Sequence, residues 1–360
     1  MNQLPHAEPP RRSHRLRGFF SLLSLASFLS VLFLPQPVAA QSSEVRVDAE
    51  TEQVIQGALR WLTAAQSPSG AWFSAPNENK HAASMTGYTL MAFLVAGNLP
   101  DEGEHKKPVA LGLRFLLDTI QPDGNLRDID GKSYMYSHGI VTIALANLYG
   151  QTRDPAVRAE LDRLVRVILS AQNEQGGWRY QPRPRDADIS VSVLQVVALR
   201  AAKNAGLDVP QEAITRAVAY VRSCHHPGSG GFTYQPGKGD PGFARTAAAM
   251  YSLQVCGEYE DPRLVPGAQF LLTNLKQKRW WTYGNFYAAP ALFMLGGDSW
   301  KRYYGDMRKE LLAGVRREGD KAWWDTNLDN QKDGVGPVYC TAVYTTILAM
   351  PYHYLPLYQR

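Results

Sequence analysis

The chain has 360 residues, of which 45% are hydrophobic and 20% charged, a composition typical of a folded globular protein. Four arginines and one glutamate lie in the first 40 residues, so the formal charge of +5 falls to +2 for the remainder. This remainder shows no basic stripe, and we expect no nucleic-acid partner. The odd number of cysteines, Cys224, Cys256 and Cys340, argues against a disulfide scaffold and favours free, buried thiols.

Residues 1–40 have the pattern of a secretory leader. Arginines between Arg11 and Arg17 precede an apolar run over residues 19–34, and Val38-Ala39-Ala40 supplies small residues for cleavage. The apolar run has about 16 residues, whereas a membrane-spanning helix needs about 20. We therefore predict an exported protein, periplasmic or extracellular, that begins at Gln41. The alternative is an uncleaved leader that anchors the protein to a membrane.

A short motif recurs along the chain, most clearly from Gln172 through Gly176-Gly177 to Trp178. Its copies end at intervals of 54, 52, 54, 51 and 41 residues, and such a period indicates a repeat architecture. We predict that the glutamine bonds free backbone groups at helix ends, while the closing ring seals adjacent hairpins. The residues predicted to connect the repeats are Gln66, Trp72, Gln121, Gln172, Trp178, Phe232, Tyr283 and Trp324, with Leu126 closing the second copy.

Apolar residues at helical spacing predict two helices in each repeat, the first more charged and the second more apolar. That alternation indicates an outer and an inner ring of helices. The sequence therefore predicts an all-α fold, an (α/α)6 toroid of six helical hairpins over residues 51–360, preceded by a loose segment at 41–50. Strand signals are weak. The predicted helices span 52–65, 84–96, 109–119, 139–148, 156–171, 189–205, 212–223, 244–256, 263–275, 286–295, 303–316 and 339–349.

These repeats resemble those of the squalene-hopene cyclase, prenyltransferase and squalene oxidase repeat family. Asp186-Ala-Asp188-Ile189, opening the third inner helix, is similar to the start of the family's Asp-x-Asp-Asp-Thr-Ala acid motif. The resemblance implies an isoprenoid or other hydrophobic ligand in an apolar cavity, with Asp188 as proton donor and Asp186 as its companion. The chain departs from the family at Ile189, where the motif has an acid, and by having room for one toroid domain instead of two.

Asp188 also has a purely structural interpretation, because an aspartate before a helix caps free amides. Phe286, Tyr287, Tyr339 and Tyr344 lie on predicted inner helices. Such rings either line a ligand cavity, where they can stabilise a cation, or fill the centre of the barrel.

Asp325, Asn327 and Asp329 match ligand positions of a calcium loop, but the usual glycine and bidentate glutamate are replaced. Cys340 and His353 invite comparison with the zinc ligands of protein prenyltransferases, but Val338 stands where that pattern has aspartate. We therefore expect no metal and no cofactor.

Three functions remain open. The first is a squalene-cyclase-like isomerase or lyase acting on an isoprenoid, and the second is a non-catalytic binding or scaffold toroid. The third is a carbohydrate-active toroid enzyme in which two carboxylates act on a glycosidic bond. An aromatic cavity holding both aspartates would favour the first, and a packed centre would favour binding at the surface. An open groove with two separated carboxylates would favour the third. The sequence specifies no oligomeric state.

Overall fold

The structure is a computed structural model that describes residues 45–73, 81–127, 134–328, 336–355 and 357. The predicted leader lies outside these residues. Twelve α-helices form in the described parts, and their bounds agree with the predicted helices to within a few residues at most ends. They are α1 Ala49–Ala65, α2 Ala82–Val95, α3 Lys106–Thr119, α4 Tyr134–Thr152, α5 Pro155–Ala171, α6 Ile189–Asn204, α7 Gln211–Ser223, α8 Phe243–Val255, α9 Leu264–Asn274, α10 Trp281–Leu295, α11 Gly297–Gly314 and α12 Pro337–Ala349.

Burial separates these helices into two rings. The odd-numbered helices bury one stripe, as α1 does with Val54, Ile55, Ala58, Leu59 and Leu62. The even-numbered helices are buried on nearly all sides, which requires that other helices surround them. Each even-numbered helix contacts the next, and α12 contacts α2, so the inner ring is closed. The predicted all-α (α/α)6 toroid is confirmed.

The motif residues lie at the joints between consecutive hairpins. Nε2 of Gln172 donates to the carbonyl oxygens of Gly176 and of Ala213 in α7, at 2.9 Å each. Gln66 makes the equivalent bonds, at 2.9 Å each, to Gly70 and to Pro108 in α3. Each amide therefore connects the end of one outer helix to the beginning of the next.

The closing tryptophans attach each joint to its own outer helix. The indole N–H groups of Trp72, Trp178 and Trp324 donate to the carbonyl oxygens of Leu62, Ile168 and Leu311, at 2.7, 2.8 and 2.8 Å. All three rings are fully buried, so each joint is both hydrogen-bonded and dry.

Inner helices are attached by a hydroxyl group that the sequence analysis missed. The backbone N–H of Trp178 donates to Oγ of Ser192 at 2.9 Å. The residues 14 positions after Trp72 and Phe232 are also hydroxyl-bearing, and Thr86 and Thr246 accept the equivalent bonds at 3.1 and 2.9 Å. This constant spacing of Ser or Thr after the aromatic residue is visible in the sequence and could have revealed the contact.

Gly176 shows why the motif requires glycine. Its φ is +86°, and a Cβ there would lie 2.4 Å from the backbone oxygen of Arg216 in α7. Any side chain would meet both backbone strain and the neighbouring outer helix. The equivalent glycines Gly70, Gly124 and Gly230 also have positive φ and equally little room.

Tyr283 does not lie at a joint, where the sequence analysis placed it. It lies inside α10, where its hydroxyl donates to the carbonyl oxygen of Ser190 at 2.8 Å. Trp281 is the buried ring at this joint, and its indole N–H donates to the carbonyl oxygen of Leu275 at 3.1 Å. Residues 277–283 lack the glycines of the other copies, so α10 begins five residues before the predicted start at 286.

The last joint contains a short antiparallel hairpin, which the sequence analysis did not predict. Its strands are β1 Arg316–Glu318 and β2 Lys321–Trp323. Trp323 stacks on Trp61 of α1 with ring centroids 6.1 Å apart. The hairpin therefore connects the last repeat to the first, and three-residue strands of this kind are too short to show an alternating pattern.

Two 3₁₀ turns, Thr326–Leu328 and Met350–Tyr352, flank α12. The three cysteines form no disulfide with one another; Cys224 and Cys340 are buried and Cys256 is partly exposed. Among the helices described, none is both long and apolar enough to cross a membrane.

Candidate functional site

Asp188 lies at the mouth, which we define as the N-termini of α6, α8 and α10 with residues 179–188, 233–242 and 278–280 before them. Its backbone N–H donates to the carbonyl oxygen of Trp178 at 3.0 Å, so the joint fixes its position. Its Oδ1 accepts from the backbone N–H of Val191 at 3.0 Å, which is an N-cap for α6. Asp188 therefore caps the N-terminus of α6, which is the structural role that its position before a helix predicts.

The other carboxylate oxygen of Asp188 faces Arg179. The side chain is fully buried, and Oδ2 makes no hydrogen bond with a described residue. Nε of Arg179 lies 3.4 Å from it. Burial raises the pKa of Asp188 to about 6, although the Val191 N–H and the charge of Arg179 act in the opposite direction. A carboxyl group of this kind can hold and release a proton near neutral pH.

Asp186 lies in a different environment two residues earlier. Its side chain is 55% exposed and forms an ion pair with Nη1 of Arg179. Nε2 of Gln235 donates to it at 3.2 Å. Two carboxylates thus contact one guanidinium, one of them solvated and the other buried.

Four half-buried tyrosines surround this pair, and we call them the rim tyrosines: Tyr136, Tyr180, Tyr234 and Tyr283. The hydroxyls of Tyr180 and Tyr234 are hydrogen-bonded to each other. Tyr136 stacks on Tyr180 with centroids 6.0 Å apart and meets Tyr283 edge-on at 6.3 Å. The rim therefore offers apolar ring faces and polar hydroxyls side by side.

Rings pack tightly at the centre of the barrel, below the rim. Tyr88 of α2 contacts Phe286 of α10 and Tyr339 of α12 edge-on, with centroids 4.9 Å apart in each case. Phe286 meets Tyr287 at 5.2 Å. All four are buried, so three of the predicted cavity residues pack together in the centre.

Tyr344, the fourth predicted cavity residue, lies elsewhere. Its ring contacts Trp281 and Trp324, at 5.7 Å each, and its hydroxyl pairs with Oγ1 of Thr282 at 2.7 Å. The five residues from Tyr339 to Tyr344 turn a helix by about 140° away from the first position. Tyr344 therefore faces the joints.

The described residues contain no group of three or more His, Cys, Asp or Glu side chains arranged to hold a metal ion. Of the calcium candidates, Asp325 pairs with Arg316 at 3.0 Å. Asn327 has its backbone in the first 3₁₀ turn, and Asp329 lies outside the described residues. Cys340 is buried in α12, whereas His353 is exposed with its ring 4.8 Å from Phe293.

No protein-family model and no curated protein sequence matches this chain. Solved structures do resemble it. An α-1,6-mannanase of glycoside hydrolase family 76 from Salegentibacter sp. aligns with a TM-score of 0.60 and 8% identity, over 85% of this chain and 99% of that one. That structure is an inactive variant, with two consecutive aspartates replaced, in complex with α-1,6-mannotetrose.

Two other similar structures have different activities. Cellobiose 2-epimerase from Bacillus thermoamylovorans has a TM-score of 0.60 at 12% identity, over 83% of this chain and 97% of that one. The type II terpene cyclase MstE from Scytonema, with geranylgeranyl dihydroxybenzoate bound, has a TM-score of 0.56 at 15% identity, over 85% and 99%. These likenesses establish the α/α toroid fold and do not assign the chain to the squalene cyclase family.

Proposed function

We propose that this protein is a carbohydrate-active toroid that binds a glycan at the rim tyrosines and uses Asp188 as a proton donor. The observation that carries the proposal is the buried Asp188 carboxyl, whose Oδ2 makes no hydrogen bond with a described residue, beside half-buried aromatic rings. Sugar rings combine apolar C–H faces with hydroxyl groups, and the rim tyrosines provide partners for both. The likeness to a mannanase and to a cellobiose epimerase supports the same choice.

The two carboxylates suit the two roles in glycoside hydrolysis. Protonated Asp188 donates its proton to the glycosidic oxygen as the bond from that oxygen to the anomeric carbon breaks. Asp186, which forms an ion pair with Arg179, takes a proton from the attacking water, whose oxygen bonds to the anomeric carbon. The acid has a raised pKa, as this chemistry requires.

An isoprenoid-processing function is the second candidate, because Asp188 occupies the acid position of the resembled motif and aromatic rings lie below it. The packing of the centre counts against it. A polyprenyl chain would have to displace Tyr88 together with Phe286 and Tyr339, whose ring centroids each lie 4.9 Å from that of Tyr88. A glycan on the rim tyrosines would leave these three rings in place, but it would have to move Arg179 or a rim side chain to reach the buried Oδ2 of Asp188.

The test is a screen of the purified protein against an oligosaccharide library, with binding measured by calorimetry and product by mass spectrometry. Asp188→Asn should bind a glycan ligand as the wild type does and lose turnover. The matched control is Asp154→Asn, another N-cap aspartate on outer helix α5, whose Oδ1 accepts from Ala156 at 2.8 Å. This control should keep both properties.

Each failure has a distinct meaning. Turnover that persists in Asp188→Asn would refute the acid role. Wild-type protein that neither binds nor converts any glycan would refute the proposal, and product from a polyprenyl substrate would favour the second candidate.

A further inference from the structure

Two arginines lie beside the same rim tyrosine, but only one of them is neutralised. The guanidinium carbons of Arg179 and Arg245 are each 5.8 Å from the centroid of Tyr234. Arg179 is paired with Asp186 and Asp188. Nη1 of Arg245 instead donates to the backbone carbonyl oxygen of Asp240 at 2.7 Å. Within the described residues, Arg245 has no carboxylate at ion-pair distance.

The surroundings make this unpaired charge unfavourable. Arg245 is partly buried, and burial, followed by the positive charge of Arg279, lowers its pKa from the usual value. It also lies in the first turn of α8, where the helix dipole disfavours a cation. A partly buried cation beside another cation is unfavourable unless an anion joins it.

We propose that the glycan of this site is anionic, and that Arg245 binds a carboxylate or sulfate group on the sugar that lies against Tyr234. This inference rests on the proposed function and names its substrate class. Arginine suits the task because its planar fork binds two oxygens of a carboxylate or sulfate at once. Arg179 cannot take this role without leaving both aspartates unpaired, so the two guanidiniums divide their roles. Arg179 holds the acids, and Arg245 holds the substrate.

Other charges near the proposed subsite favour the same sign. Arg279 is exposed, as is Lys238 in the loop before α8. Asp186 and Asp188 lie at the same rim but are paired with Arg179, and Asp240, whose charge acts on Arg245, is exposed and beyond ion-pair distance of it. The positive charge at this side of the mouth is therefore available to a ligand.

The experiment compares matched charged and neutral glycans by calorimetry. The carboxylate pair is hexagalacturonate and its methyl ester, and the sulfate pair is a carrageenan oligosaccharide and its desulfated form. The wild type should prefer the charged member of one pair, and added salt should weaken that preference. The pair that shows the preference identifies the anionic group.

Three variants assign the effect to Arg245. Arg245→Gln should lower affinity for the charged glycan by about ten- to a hundredfold, the range for a charge-assisted hydrogen bond, and leave the neutral one unchanged. Arg245→Lys should retain part of the preference. Arg114→Gln makes the same charge change on outer helix α3, where Arg114 is 81% exposed, and should have no effect.

The outcomes separate this inference from the proposed function. Equal affinity for charged and neutral glycans would overturn the anionic subsite while leaving the glycan site standing. A loss of both glycans in Arg245→Gln, with an unchanged unfolding midpoint, would also overturn it. Absence of binding to every glycan would overturn both proposals.

Discussion

The joint at Gln172–Trp178 and the acidic pair at Asp186 and Asp188 are adjacent in the chain but differ in kind. The joint is repeated, because its glutamine, glycine and indole bond to backbone groups that every hairpin has. The acidic pair is absent at two of the equivalent positions, because Gly242 and Gly336 are the N-caps of α8 and α12 that correspond to Asp188. Residues that recur therefore specify the toroid, and residues that break the repeat are the candidates for chemistry.

The largest expected loss of stability comes from a substitution at a joint. Trp178→Ala removes a fully buried ring and its bond to Ile168, so we expect a loss of about 3–5 kcal/mol in the free energy of unfolding. Trp280→Ala is the matched control, since Trp280 is 47% exposed. Chemical denaturation measures both. Equal losses for the two variants would show that the joint has no special contribution.

Two glycine substitutions separate the destabilisation caused by backbone strain from that caused by close packing. Gly176→Ala and Gly239→Ala both place a side chain at positive φ, +86° and +76°, but Gly239 has no atom within 4 Å of the new Cβ. We expect about 1–2 kcal/mol of destabilisation at Gly239 and about 1–3 kcal/mol more at Gly176. If the two variants have the same denaturation midpoint, close packing at Gly176 makes no contribution beyond backbone strain.

The helices and their two rings could be predicted from the sequence because apolar spacing and the period near 50 residues are local, repeated signals. The sequence analysis placed Tyr283 instead of Trp281 at the fifth joint, because residues 277–283 lack the glycines that align the other copies. The packing of Tyr88, Phe286 and Tyr339 at the centre depends on three helices far apart in sequence. For the candidate site, Asp186 and Asp188 were found from their motif. Arg179, Tyr234 and Arg245 were missed, because only the folded ring brings their loops together.

The acid at the mouth should alter the pH dependence of stability. The pKa of Asp188 rises from 3.8 to about 6 on folding, so the folded state binds the proton more tightly. The resulting stabilisation is complete below about pH 3.8 and disappears as pH rises to about 6, with an upper limit of about 3 kcal/mol. Asp188→Asn keeps the N-cap and removes the titration.

The wild type's stability relative to Asp188→Asn should therefore fall between pH 4 and pH 6 and then stay constant. Denaturation curves of both proteins across this range provide the test. A difference that rises with pH would mean that Asp188 is held ionised, and would exclude it as an acid.

The smallest expected effect is that of Gln172→Ala. It removes two hydrogen bonds of 2.9 Å from a half-buried amide, and we expect a loss of about 1–2 kcal/mol. Gln56→Ala on α1 is a control, because its bond to Glu52 lies within one helix turn. If thermal unfolding shows no difference between the two, the amide does not stabilise the connection between outer helices.

The most direct test of the glycan site is a crystal structure of Asp188→Asn with a bound oligosaccharide. We predict a sugar ring against Tyr180 or Tyr234, with its glycosidic oxygen facing residue 188 and an anionic group at Arg245. A glycan bound away from the mouth, or an isoprenoid chain inserted among Tyr88, Phe286 and Tyr339, would contradict the proposed function.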